Sequence, residues 1–273
     1  MFNPKYSITQ TMVRHLMNIQ EAQSIVSLLP LPSSILLDLQ NESKEKTVIF
    51  STKIEGNTLS EKEVYNLLKA LQQIETWEKR QLPITEERIK ELHAIIRVIS
   101  AGRRPKYSEY RQEQNQVGER NQAGFYLPPE PQDVPELMED LVAWVNAPEQ
   151  IHIVAPIKAG IFMYQFLTIH PYIDGNGRTA RMLATYLLRR GNIGLKNLFV
   201  LETYYDRHMQ RYYQNLQMNN HHNYYYGRNL ADMTKWLEFF IEGLAEVFQE
   251  TANIVKRKSE EYTVLSNLNY CEN

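Results

Sequence analysis

One run of twelve residues, His170-Pro171-Tyr172-Ile173-Asp174-Gly175-Asn176-Gly177-Arg178-Thr179-Ala180-Arg181, holds a histidine, an acid, two glycines and two arginines at spacings that suit polyphosphate chemistry. Pro171 pushes His170 out of the α region, so a preceding helix ends at Ile169. Gly175, Asn176 and Gly177 tolerate positive φ, which lets successive N–H groups turn inward as an anion-binding nest. A helix starting at about Arg178 adds its positive end. Arg178 and Arg181 stand three apart on that helix and share a face, so two guanidinium groups join the nest. Asp174 repels phosphate unless Mg²⁺ lies between them, and one carboxylate plus phosphate oxygens is a usual magnesium arrangement. His170, with a pKa near neutrality, can take a proton from an incoming hydroxyl. These parts together describe nucleotidyl or phosphoryl transfer by positioning and charge neutralisation.

The elements that must hold this loop read as an all-α fold. Apolar periodicity predicts helices over residues 7–29, from about 35 into Ile54, from Ser60 through Leu71, and over 85–99, 134–145, 157–169, 178–190, 204–218 and 230–256. Gly56-Asn57 stops the second of these, and Ser60 with Glu63 forms a capping-box signature for the third. The charged run 41–46 reads either as a solvated face or as a break. Residues 102–131, rich in Gly, Pro, Gln, Asn and Tyr, are the non-helical stretch. There Phe125-Tyr126-Leu127 reads as a short strand that residues 114–118 can meet as a hairpin. Residues after about 260 are expected to be loosely ordered.

Bulk properties narrow the class without deciding it. The chain has 273 residues, 43% hydrophobic and 23% charged, enough to bury a sizeable core. Its 30 Lys plus Arg against 32 Asp plus Glu give a net charge of −2, so no global basic field draws it to nucleic acid or to an anionic membrane. Its lone cysteine, Cys271, cannot form an internal disulfide. No signal-peptide core or membrane-length apolar run is evident, and the expectation is a cytoplasmic protein.

The segment 170–181 resembles the motif of the Fic family, His-Pro-Phe-x-Asp/Glu-Gly-Asn-Gly-Arg-x-x-Arg, with Tyr172 where Phe is usual. Tyr at that anchoring position needs room or a partner for its hydroxyl. The resemblance implies an all-α Fic-type helical core with a small β-hairpin flap and an activity that moves AMP from ATP to a Ser, Thr or Tyr hydroxyl of a protein. It implies His170 as base and Asp174 as the Mg²⁺ ligand. It further implies a phosphate cradle of the Gly175–Gly177 amides with Asn176, and Arg178 and Arg181 as phosphate ligands. Family-like sequence runs from about residue 45 to 245. The chain is expected to divide into an N-terminal helical region over 1–100 that carries the motif at 51–57, a core over 101–250 and a C-terminal helix end over 251–273.

Three more stretches are similar to the family. Tyr110-Arg111, Val117-Gly118 and Leu127-Pro128-Pro129 resemble the flap, spanning about 107–128, and a hairpin there can add the target segment as another strand. Residues 212–220 resemble an adenine pocket, with Tyr213 on the base and Asn220 hydrogen-bonded to it. Ser51-Thr52-Lys53-Ile54-Glu55-Gly56-Asn57 resembles the family's N-terminal inhibitory motif, in which Glu55 competes with ATP for Arg181. Other readings stay open: transfer of a different phosphate-linked group, removal of AMP from a modified protein, and a nucleotide-sensing module without turnover. Autoinhibited relatives often self-associate, so a homodimer is also open, as is self-modification. His221-His222 lacks spaced partners for a metal, and His15, His93, His152 and His208 stand without evident partners.

Overall fold

The computed structural model describes residues 2–56, 60–97, 106–118, 125–217 and 222–271, with side chains through residue 264. Ten α-helices are present among these residues: α1 Gln10–Leu28, α2 Ser33–Ile54, α3 Glu61–Lys79, α4 Glu86–Ile96, α5 Val134–Asn146, α6 Ala155–Ile169, α7 Asn176–Arg190, α8 Glu202–Arg207, α9 Met209–Leu216 and α10 Thr234–Cys271. The all-α expectation holds.

The hairpin is reduced to one antiparallel pair, Val117 with Tyr126, each N–H donating to the other's carbonyl at 2.9 Å. Leu127 then pairs in parallel with Asn223, which ties the flap to the chain before α10. Residues 119–124, between the two flap strands, lie outside the described residues, as do Asn57 and Asn220.

α6 is the centre of the molecule. Of its 15 residues, Ile157, Ile161, Phe162, Met163, Tyr164, Phe166 and Ile169 are buried, so it presents no polar face and must be surrounded. α7, α5 and α10 pack around it. α7 itself is buried over nearly its whole length, including Arg178, Arg181 and Arg189. The loop between these two helices, residues 170–175, is therefore gripped by core on both sides.

Two elements depart from the sequence reading, and one open alternative closes. The charged run 41–46 does not break α2: Lys46 reaches Glu42 at 2.7 Å and Lys44 reaches Glu75 at 2.9 Å, a solvated helical face. The expected helix over 204–218 is two short ones, with His208 at φ −120° between them. Residues beyond 260 continue α10 as helix to Cys271 rather than falling loose. Periodicity reports which face is buried; it does not report a single non-helical residue or the far end of a long helix.

Candidate active site

His170 stands at the C-terminal end of α6 with φ 52° and ψ 59°, the left-handed conformation. Such a backbone is strained for a residue with a side chain, and its surroundings hold it there. Its N–H donates to the Phe166 carbonyl at 2.9 Å, and its own carbonyl accepts from Arg111 Nε at 3.0 Å. Arg111 is buried and also bonds the Pro129 carbonyl, while its N–H donates to the Pro171 carbonyl at 2.9 Å. The flap base and the loop are thus one hydrogen-bonded unit.

The His170 ring places Nδ1 3.3 Å from the Leu167 carbonyl, so the neutral ring carries its proton on Nδ1 and leaves Nε2 as acceptor. Burial lowers its pKa to about 4, against smaller upward pulls that include the Glu55 charge. His170 as a whole is only half-buried.

Gly175, at φ 82°, begins α7 with no side-chain cap. Asn176 and Gly177 lie inside the helix, so the expected nest of positive-φ residues is instead one left-handed glycine followed by a bare helix N-terminus, itself an anion site. The Asn176 side chain closes the loop: Oδ1 accepts from the Tyr172 N–H at 3.0 Å, and Nδ2 donates to the Tyr172 carbonyl at 2.7 Å.

The two arginines diverge. Arg181 is 2% exposed; its Nη2 donates to Glu55 Oε1 at 2.7 Å and to the Ser51 carbonyl at 2.9 Å, and its Nε meets Ser51 Oγ at 3.2 Å. Burial works against its charge, but the Glu55 carboxylate and its hydrogen bond raise the pKa above the ordinary arginine value. Arg178, equally buried, turns to Glu63 Oε1 at 3.3 Å and to Asp174 Oδ2 at 3.0 Å. The Asp174 carboxylate is 72% exposed.

Glu55 is delivered by the end of α2. Its N–H bonds the Thr52 carbonyl at 3.1 Å, and Gly56, at φ 72°, bonds the Lys53 carbonyl at 3.0 Å and stops the helix. A β-carbon on Gly177 would lie 2.1 Å from Glu55 Oε1, so the carboxylate rests against the first turn of α7. There a negative charge is favoured by about 0.3–1 kcal/mol. Ser51, Glu55, Gly177 and Arg181 are therefore brought together.

A cavity of about 320 Å³ joins these groups, with Glu55, Val117, Gly118, His170, Arg181 and Tyr213 on its wall. Tyr213 is 43% exposed and donates its hydroxyl to the Ile54 carbonyl at 2.9 Å.

The amino-acid pattern did not reveal two supports. His93 donates through Nε2 to the Asp174 carbonyl at 2.8 Å and stacks on Tyr172, with ring centroids 3.5 Å apart at 8°. Glu63, read as a cap, also holds Arg178. The signal for His93 was its place on the buried face of α4, between Leu92 and Ala94.

Comparison with known proteins sets this geometry in a family: residues 83–188 match the Fic/DOC family. That match covers residues 83–188 of the 273, the stretch that includes the 170–181 loop. Along most of its length the chain is similar to "Protein adenylyltransferase Fic" of Drosophila grimshawi, 26% identical over 279 residues, covering 93% of this chain and 55% of that one. The Drosophila erecta protein of the same name is 28% identical over 211 residues, 76% of this chain and 40% of that one. The chain thus spans about half the length, or less, of these relatives. Among solved structures, a Fic family protein from Desulfovibrio desulfuricans superposes with a TM-score of 0.74 at 24% identity, covering 93% of this chain and 77% of that one. A Fic-domain signalling protein from Bacteroides thetaiotaomicron gives 0.71 at 22%, covering 89% and 97%. These superpositions establish the fold.

The Tyr172 hydroxyl is buried without a hydrogen-bond partner, so the resemblance's need for a partner is unmet. Tyr172→Phe should stabilise the chain by about 1 kcal/mol, read as a rise in the urea midpoint at unchanged slope. His93, buried, has its pKa lowered by burial to about 4 from 6.5. The unfolded chain therefore binds the proton first as pH falls, and stability present above pH 6.5 is lost between 6.5 and 4. That loss is on the order of 3 kcal/mol. His93→Gln, whose amide can still reach the Asp174 carbonyl, should remove that part of the slope in urea unfolding at stepped pH.

Proposed function

We propose that this chain is a protein adenylyltransferase that moves AMP from ATP to a Ser, Thr or Tyr hydroxyl of a protein, and that Glu55 restrains it by occupying Arg181. The observation that carries the reading is one cavity holding His170, the bare α7 N-terminus, Arg181 and the flap residues Val117 and Gly118. The names of the Drosophila relatives support the same activity.

The chemistry follows from the positions. The α7 N–H groups and Arg181 are suited to the phosphates. A hydroxyl brought along the flap loses its proton to His170 Nε2, its oxygen attacks the α-phosphorus, and the bond to pyrophosphate breaks. Tyr213 faces the cavity where the base would lie, and Asn220 is proposed beside it. Arg178 acts through Asp174 and Glu63, which fix the loop.

Among the described residues no cluster of three or more His, Cys, Asp or Glu would cage a metal. The single exposed Asp174 carboxylate fits Mg²⁺ arriving with nucleotide phosphates, which needs only one or two protein ligands. Bound there, Mg²⁺ would neutralise charge on the phosphates. No described helix is long and apolar enough to cross a membrane. We place the protein in the ATP-rich, reducing cytoplasm, consistent with its single cysteine.

The deciding experiment incubates the Glu55→Gly chain with ATP labelled at the α- or the γ-phosphate, with Mg²⁺ and lysate proteins. Label retained on protein from the α-position alone supports AMP transfer. Label from the γ-position alone would replace it with phosphoryl transfer, and label from neither would end the transferase reading.

A further inference from the structure

Arg181 has an anion behind it as well as one in front. Glu55 meets it from the cavity side at 2.7 Å. Behind it lies Glu202, in the first turn of α8 and 3% exposed. The packing between them is continuous. Tyr212 lines the cavity with Arg181, and the Tyr205 ring packs on Tyr212 with centroids 4.7 Å apart. Glu202 stands three residues before Tyr205, on the same face of α8.

Glu202 serves a second buried cation. Arg189, two turns further along α7, is buried; its ion pair with Glu78 is long, at 3.9 Å, and its Nε and Nη1 make no hydrogen bond. Burial raises the Glu202 pKa, and the Arg181 charge, a hydrogen bond from its own N–H and the Arg189 charge all work against that rise. Charges therefore alternate through the interior in the order Glu55, Arg181, Glu202, Arg189, Glu78. Glu202 is the most deeply buried of the three acids.

The proposed reaction uses Arg181 and gives Glu202 no task. Orientation is not what Glu202 supplies, because the Ser51 carbonyl and hydroxyl already accept from the Arg181 guanidinium. Glu202 acts on Arg181 by charge, without a hydrogen bond to it. An anion behind a cation weakens the field that the cation presents to a second anion in front, and burial keeps salt from screening that effect.

We propose that Glu202 is a standing counter-charge to Arg181, shared with Arg189, and that it sets how tightly Arg181 holds an anion on the cavity side, whether Glu55 or nucleotide phosphate. The inference deepens the proposed function and rests on its reading of Arg181 as a phosphate ligand. Glu202 acts only through Arg181. It lets the guanidinium stay charged and buried while Glu55 and phosphate exchange in front of it, and it loosens the grip on both.

The test titrates the full Glu55→Gly chain with ATP, ADP and adenosine in a calorimeter, with Mg²⁺ present. Adding Glu202→Gln should tighten ATP about tenfold, ADP by less and adenosine not at all, because the gain follows the charge that faces Arg181. Glu202→Asp keeps the charge and should leave all three affinities near those of Glu55→Gly. A residue that only fills the core would do the reverse, loosening the three ligands alike. Unchanged or weaker ATP binding in folded Glu202→Gln, or a gain shared by adenosine, would overturn the inference. Should Glu202→Gln not fold, Arg189→Met reads the same balance from the other side. Glu202 then bears on Arg181 alone, so ATP should bind several-fold more weakly with adenosine unchanged, and an unchanged ATP affinity overturns the proposal. Failure of the underlying reading looks different. ATP binding untouched by Arg181→Met removes Arg181 as a phosphate ligand, and absent label transfer with the charge-ordered gain intact sinks only the transferase reading.

Discussion

Glu55→Gly should raise the incorporation of α-phosphate label by roughly 5- to 150-fold over the unaltered chain, the usual span of a coupling between two sites. The carboxylate does two things at once. It satisfies Arg181, whose remaining partners are Ser51 groups, and it rests against Gly177 where the first free N–H groups of α7 point. A triphosphate needs both places. Glu55→Gln keeps the shape but not the charge and should release part of the activity. The released chain also leaves a buried guanidinium without its bonded counter-ion. Its melting temperature should fall without nucleotide and recover with ATP, because ligand bound only to the folded state stabilises it. Unchanged labelling in Glu55→Gly, with ATP binding shown to be intact, would remove Glu55 as the restraint.

His170→Ala in the released chain should lower transfer by about 10²- to 10⁴-fold while leaving ATP affinity nearly unchanged, since the base acts on the acceptor and not on the phosphates. The pH profile separates this role from a structural one. With the free ring's pKa at about 4, Nε2 is unprotonated above about pH 5, so kcat/KM should stay level from pH 8 to 5 and fall only below that. The Glu55 charge raises the His170 pKa, so removing it moves the acid limb lower still. Bound phosphates act in the opposite sense, and the limb in kcat should sit higher than the limb in kcat/KM. An acid limb near 6.5 in kcat/KM, or activity surviving in His170→Ala, would assign proton removal elsewhere.

How much of this was legible beforehand depended on distance along the chain. The helices bounding the loop, the capping box of Ser60 and Glu63 and the Glu55-Gly56 helix end are local patterns and stand close to where the amino acids placed them, although α7 begins at Asn176 and takes up part of the expected nest. The meeting of Glu55 with Arg181 spans 126 residues and was reached only through family resemblance. Partners without such a precedent stayed hidden. Arg178 finds Glu63 at a separation of 115 residues, and His93 finds the Asp174 carbonyl at 81. Spacing put Arg178 and Arg181 on one face of a helix. That face is broad enough for two neighbours, and Glu63 and Glu55 take one arginine each.

On the proposed reading, Glu55 is an inhibitor covalently tethered to the site it blocks. An inhibitor joined to its own target through a helix has no dissociation constant in the ordinary sense; its strength is an effective concentration, on the order of millimolar for a short link and higher for a rigid one. Diluting the protein cannot loosen it, and nucleotide displaces it only by exceeding that local concentration. Tyr213 adds to this by gripping the Ile54 carbonyl, one residue before Glu55, from the same wall of the cavity. If Glu55 restrains the chain as proposed, whatever frees the end of α2 acts as a dial on apparent ATP affinity, and the ATP concentration sets where on that dial turnover begins.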